Sequence, residues 1–211
     1  MSILIKSQIL EQVKSGKIAF DPPLDQFQVQ CHAVDLRLGF TFLIPKQWHL
    51  TPKGREALNL DYFHLDRSKY FDVLELEKGQ YFEILPNEYV MVSTLESVKL
   101  PLDLMAVLYP RSSINRRGLS VELSGIITAG YEGQLIIPVK NNTQAQIIKL
   151  YPGERFCQIV FEELSREAEV AKSKYHKKDI ISGVLPEEQT EENDLIVKGE
   201  ISKLKERYSI K

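Results

Sequence analysis

Three cations and two hydroxyls crowd the seven positions from 111 to 117: Arg111, Ser112, Ser113, Arg116 and Arg117. Guanidinium forks grip phosphate oxygens at two points, while hydroxyls and free backbone N–H groups fill the remaining acceptor sites. The cluster therefore suits a polyanion such as a triphosphate. Pro110 precedes it, cannot donate to a strand ladder, and follows the apolar run Leu104-Met105-Ala106-Val107-Leu108, so a strand is expected to end where the cluster begins. The competing reading is a solvated polar turn that binds nothing, because short motifs match by chance. A strand-like segment and a glycine-aromatic turn, Ala129-Gly130-Tyr131-Glu132-Gly133, complete the stretch.

Other reactive side chains are sparse. His32 has no carboxylate or cysteine beside it in sequence and reads as structural. Cys31 and Cys157 lack metal or redox spacing and are expected to be buried, reduced core residues. The chain has 211 residues with 43% hydrophobic and 27% charged side chains, enough for one main domain; a net charge of −2 gives no global field for holding nucleic acid. No apolar run reaches the ~20 residues of a membrane helix, and the N-terminus lacks signal-peptide organisation, so no membrane partner and a cytoplasmic location are expected.

These groups must be positioned by a mainly β scaffold. Ile5 to Gly16 has helical spacing at Ile5, Ile9, Leu10 and Val13, with Gly16 placed to stop it. Val34, Leu36 and Leu38 alternate with Asp35 and Arg37, which predicts a strand with one charged face. Residues 41–44 form another short strand, and residues 46–72 lose periodicity and read as an aromatic-containing insertion. Strand segments then recur from Val73 to Phe161 at spacings near ten residues, separated by turn signals, which indicates an antiparallel sandwich or barrel. The main domain is expected over residues 1–185. A charged tail follows over residues 186–211, where Ile201, Leu204 and Tyr208 share a helical face.

Several of these segments together resemble the trimeric dCTP deaminase and dUTPase superfamily. They are the 33–39 stretch AVDLRLG, the 94–101 stretch TLESVKLP, the 111–119 stretch RSSINRRGL, the 129–133 turn AGYEG and the 150–154 turn LYPGE. The N-terminal helix, the insertion and Lys174-Tyr175 resemble the deaminase branch. The resemblance implies a distorted jelly-roll of the dUTPase-like type with a short N-terminal helix and a C-terminal extension. It also implies a homotrimer, a pyrimidine deoxynucleoside triphosphate as ligand, and a magnesium ion carried on that triphosphate, with no zinc. Arg111, Ser112, Ser113 and Arg116 match the phosphate motif, Ser112 and Arg116 also lie near the reacting centre, and Lys174 with Tyr175 matches the C-terminal segment that closes over the triphosphate.

The catalytic positions depart from that pattern. In the deaminase branch a glutamate after the glycine-aromatic turn activates the water that attacks cytosine C4; alignment on Gly133 and Asn141 puts Pro138 there, without a titratable group or an N–H. The dUTPase branch uses an aspartate before that turn, and this chain has Thr128, which is not a general base at neutral pH. Glu122 is the one carboxylate in the central strand that could substitute; alternation puts it with Ser120 and Ser124, and its ordinary reading is an exposed surface residue. Three function classes stand: hydrolytic deamination of dCTP to dUTP or a related dUTP diphosphatase activity, a non-catalytic nucleotide-binding or regulatory homologue, and a structural β protein whose basic turn binds nothing.

Overall fold

The structure is a computed structural model that describes residues 2–58, 70–121, 125–169 and 191–210. After helix α1 (Lys6–Lys14) come strands β1 (Ala19–Asp21), β2 (Val34–Pro45), β3 (Trp48–Thr51), β4 (Gly54–Ala57), β5 (Phe71–Glu75), β6 (Phe82–Ile84), β7 (Tyr89–Lys99) and β8 (Leu104–Pro110). A single helical turn α2 (Ser112–Asn115) precedes β9 (Leu119–Val121), β10 (Ile126–Ile127), β11 (Glu132–Asn141), β12 (Ile148–Leu150) and β13 (Arg155–Glu163). Two short helices follow, α3 (Glu191–Val197) and α4 (Ile201–Arg207).

Nine strands form one antiparallel sheet in the order β10-β8-β13-β2-β7-β11-β9, with β1 added on β7 and β5 on β2. β2 turns this sheet on itself by changing partners. Val34 to Arg37 pair with β13, whereas Leu38, Phe42 and Leu43 pair with β7, and the register slips on both sides of the change. Strands that switch partners through irregular register make the corners of β-sandwiches. Gly39 sits at the corner, where a Cβ would lie 2.2 Å from Ser93 Oγ and 2.8 Å from the Thr94 carbonyl oxygen. Glycine is thus demanded by close backbone approach, and the two strands read from sequence on either side of it are one.

Inside the curl lie Leu36, Leu38, Phe42, Val92, Ile137, Val139, Phe156, Ile159 and Phe161, all nearly inaccessible. Phe42 stacks on Phe82 with centroids 4.6 Å apart, which packs the β6–β12 ribbon against the core. Each such side chain contributes roughly 1.5–3 kcal/mol by burial. Asn141, fully buried, donates from Nδ2 to the Ile84 and Gln146 carbonyls at 3.0 and 2.8 Å and so ties that ribbon to the end of β11.

Two expectations about this scaffold are corrected. Asp35 is not on a solvated charged face: it is 1% exposed, because β2 is covered on both sides near the corner. Cys31 is exposed and only Cys157 is buried, since Cys31 belongs to the loop before β2. α1 is a helix as expected, but Ile9 is its one fully buried residue; Ile5 and Leu10 stay exposed. β8 also runs through Pro110, its last residue, paired with Cys157.

The chain divides into two compact units, Met1–Pro45 with Asp72–Gly183, and Lys46–Phe71 with Val184–Lys211. In the second, β3 and β4 make a hairpin with the Arg55 guanidinium 4.1 Å from the Trp48 ring centre. α3 and α4 turn at Gly199, and Arg207 and the Tyr208 hydroxyl both bond Glu191. Among the described residues no helix is long and apolar enough to cross a membrane.

Gly39→Ala is expected to lower unfolding free energy by about 1–3 kcal/mol, as overpacking does. Gly79→Ala, at a left-handed turn with open space around it, should cost about 1 kcal/mol or less. Urea unfolding of the two variants measures the difference.

Candidate nucleotide site

β8 delivers the chain to the basic turn, and Ile114, fully buried, anchors α2 against the core so that its neighbours face outward. Ser112, Ser113, Asn115, Arg116 and Arg117 are all exposed. The three arginines have different partners. Arg111 Nε lies 3.2 Å from Asp35 Oδ2, and its Nη1 donates to the Arg155 carbonyl at 3.1 Å. Arg117 Nη2 donates to Glu154 Oε2 at 2.7 Å. Arg116 meets no carboxylate among the described residues; its Nη2 donates to Ser112 Oγ at 3.2 Å. Among the described residues, Arg116 is the one of these three charges without an acid partner, and it is bonded to the exposed Ser112 hydroxyl.

Behind the turn is a cavity of about 320 Å³ lined by Gln30, Asp35, Arg111, Ser112, Asn115 and Gln158. Asp35 is its floor. Two donors converge on Oδ2, Arg155 Nη1 at 3.2 Å and Gln30 Nε2 at 3.3 Å, and the Arg111 guanidinium adds an ion pair. Oδ1 is buried without a hydrogen-bond partner among the described residues. Desolvation raises the Asp35 pKa above the ordinary carboxylate value, and the charges of Arg111 and Arg155 oppose that rise.

Next to it lies a second buried acid, Glu96, 1% exposed, on β7. It accepts from Gln28 Nε2 at 2.7 Å and from the Arg37 backbone N–H at 2.9 Å. Burial raises its pKa as well, with those hydrogen bonds acting against the rise. Arg37 in turn holds Asp25 and the Gly153 carbonyl. Buried carboxylates and the arginines around them thus connect β2, β7, β13 and the basic turn. Sequence reasoning passed over Asp35, Glu96 and Gln28 as site supports, although Asp35 and Glu96 stand inside the quoted 33–39 and 94–101 segments; a charge within an alternating strand was the available signal.

The expected catalytic half has different chemistry. Thr128 is exposed, and its carbonyl accepts from the Tyr131 N–H at 3.2 Å, closing a turn whose third residue, Gly130, has φ +75°. That sign of φ needs glycine. Tyr131 is buried, donates to the Gln134 carbonyl at 2.6 Å, and has its pKa pushed up to about 12 by desolvation. Pro138 pairs with Met91 of β7, whose other neighbour is Leu43 of β2, so an apolar row crosses the sheet at this point. The Asn141 N–H donates to the Glu88 carbonyl just before β7, so by alternation the nitrogen of Pro138 faces away from β7; the last described pair with β9 is Val139↔Val121. A proline is tolerated there because no ladder bond is lost toward β7. Glu122, Lys174 and Tyr175 lie outside the described residues. His32 is exposed, and among the described residues no group of three His, Cys, Asp or Glu side chains converges as a metal site.

Fold and site together define a mainly β protein of the dUTPase-like jelly-roll kind with a basic turn over a polar cavity. A family profile described as dCTP deaminase-like matches residues 3–164, and the chain belongs to that family. It is 35% identical over 174 residues to a protein named "dCTP deaminase, dUMP-forming" from Methanobrevibacter smithii, covering 81% of this chain and 84% of the relative. It is 37% identical over 181 residues to one of the same name from Dictyoglomus thermophilum, covering 82% and 89%. The crystal structure of 2'-deoxycytidine 5'-triphosphate deaminase from Agrobacterium tumefaciens superposes with a TM-score of 0.57 at 26% identity, spanning 75% of this chain and 48% of that one.

The raised Glu96 pKa has a definite sign in stability. An acid whose folded pKa exceeds its unfolded value stabilises when protonated, and that contribution is lost as pH rises from the unfolded value, near 4.5, through the folded one. Glu96→Gln should cost about 1–3 kcal/mol, because one donor loses its acceptor. The gap between wild type and variant should narrow as pH rises above about 4.5. Urea midpoints at several pH values check both.

Proposed function

We propose that this protein binds a pyrimidine deoxynucleoside triphosphate, as its magnesium complex, at the turn from Arg111 to Arg117, and does not deaminate it through a carboxylate at position 138. The observation that carries the reading is Arg116: it is the cation of the turn that no described carboxylate compensates, beside the Ser112 hydroxyl. Arg111, Ser112, Ser113 and Arg116 would grip the phosphates, and Lys174 with Tyr175 would close over them. Magnesium fits as a companion of the triphosphate, held by phosphate oxygens, which supply the hard oxygen ligands it prefers. A cytoplasmic homotrimer belongs to the same reading.

Chemistry at the base is where this chain parts from its relatives. A water attacking C4 of cytosine must give up a proton, and loss of the general base alone costs on the order of 10²–10⁴ in rate. Pro138 and Thr128 supply no base, and the described cross-strand neighbours of Pro138 toward β7 and β2, Met91 and Leu43, are apolar. The second reading is deamination of dCTP with a base elsewhere, Glu122 being the candidate; the identity to proteins named "dCTP deaminase, dUMP-forming" favours it. The name of those relatives also joins deamination to dUMP formation, so ammonia and diphosphate are the two products to assay.

In a thermal-shift titration, dCTP, dUTP or dTTP with magnesium should raise the melting temperature. Arg116→Ala should weaken binding by roughly 10- to 100-fold, the loss of a charge-assisted contact. No shift with any of the three nucleotides would leave the turn a solvated surface. Wild type is expected to release no ammonia from dCTP; release abolished by Glu122→Gln would establish the second reading. Appearance of ammonia in Pro138→Glu would show that only the base is missing.

A further inference from the structure

We propose that Asp35 is a positioning residue: it acts through Arg111, fixing the direction of that guanidinium, and thereby sets how tightly the basic turn holds a triphosphate. The inference rests on the nucleotide reading above. The Arg111 guanidinium is held on two sides, its Nε in an ion pair 3.2 Å from Asp35 Oδ2 and its Nη1 by a hydrogen bond to the Arg155 carbonyl at 3.1 Å, which leaves Nη2 without a partner among the described residues. A fork held by two of its three nitrogens has one orientation, so the third is presented without further loss of side-chain freedom on binding. Arg155 is fixed in its turn, since its Nη1 donates to the Phe27 carbonyl at 2.8 Å as well as to Asp35.

Two observations separate this role from that of a simple strut. Most buried carboxylate oxygens have partners, whereas Asp35 gathers two donors and the Arg111 ion pair on Oδ2 and leaves Oδ1 buried and unpartnered among the described residues. The residue also lines the same cavity as Arg111 and Ser112, so its bonded arginine and the hydroxyl of the phosphate motif border one space. A hydrophobic side chain of similar size could join β2 to β13, but it would leave the Arg111 guanidinium held only by the Arg155 carbonyl.

The test titrates the full chain with dCTP and magnesium chloride. Asp35→Asn should raise Kd at least tenfold, Arg111→Ala should do the same, and the double variant should bind no more weakly than the weaker single one, because the two residues act as a unit. Ile9→Ala, which loosens the core away from the turn, should lower the melting temperature and leave Kd unchanged. A Kd in Asp35→Asn within twofold of wild type, or losses that multiply in the double variant, overturns the proposal while the nucleotide reading stands. Failure of wild type to bind dCTP, dUTP or dTTP removes both. Where Asp35→Asn does not fold, Asp35→Glu, which keeps the charge but moves it by one methylene, supplies the answer. A raised Kd for dCTP is expected, and a Kd within twofold of wild type overturns the proposal.

Discussion

A carboxylate withdrawn from water governs this fold. Asp35 sits where β2 changes partners, and its charge is met by arginines from the basic turn and from β13. Desolvating an ion costs several kcal/mol, a cost that paired cations offset only while every partner stays in place. The corner, the β13 contact and the root of the phosphate turn are therefore mutually dependent. Glu96 repeats the arrangement one strand over, using Gln28 and a backbone N–H in place of cations. These pairings explain why a strand with alternating charges is covered on both sides: Asp35 faces protein donors and Arg37 faces protein acceptors, where an ordinary half-exposed strand would show them to solvent.

Much of the architecture was legible in the chain because the signals are local. Turn residues such as those at 77–80 and 86–88 delimit strands, and alternation assigns faces. The partner change of β2 was not legible, because Gly39 looks like a strand end until the approach of Ser93 and Thr94, more than fifty positions away, is known. Burial of Asp35 escaped for the same reason. Its arginines come from residues 111 and 155, and no periodicity links them. β1 was missed because three residues against β7 are too few to show a pattern. In the site, the composition of the turn was readable, but the division of its arginines was not: Arg117 belongs to Glu154 and Arg111 to Asp35, and both acids are distant in sequence.

That division changes what the turn can do. Three clustered guanidinium groups suggest a broad sink for anions, yet two of them already have carboxylates, so among the described residues the third, Arg116, is the cation of the turn without an acid, beside the Ser112 hydroxyl. Such a site discriminates by geometry more than by charge, since a ligand must present oxygens where Arg116 and Ser112 point. Ordinary salt screens an exposed single charge strongly, which makes shape the larger source of selectivity.

Pro138 carries a consequence for the backbone as well as for the side chain. Proline removes a backbone donor along with a side chain, and in β11 the missing N–H lies on the side away from β7, just past the last described pair with β9. Any other residue at this position brings an N–H back, and that donor needs an acceptor, protein or water. Pro138 is half-buried, so side chain and amide change together there: a substitution at position 138 alters backbone hydrogen bonding along with whatever its side chain supplies.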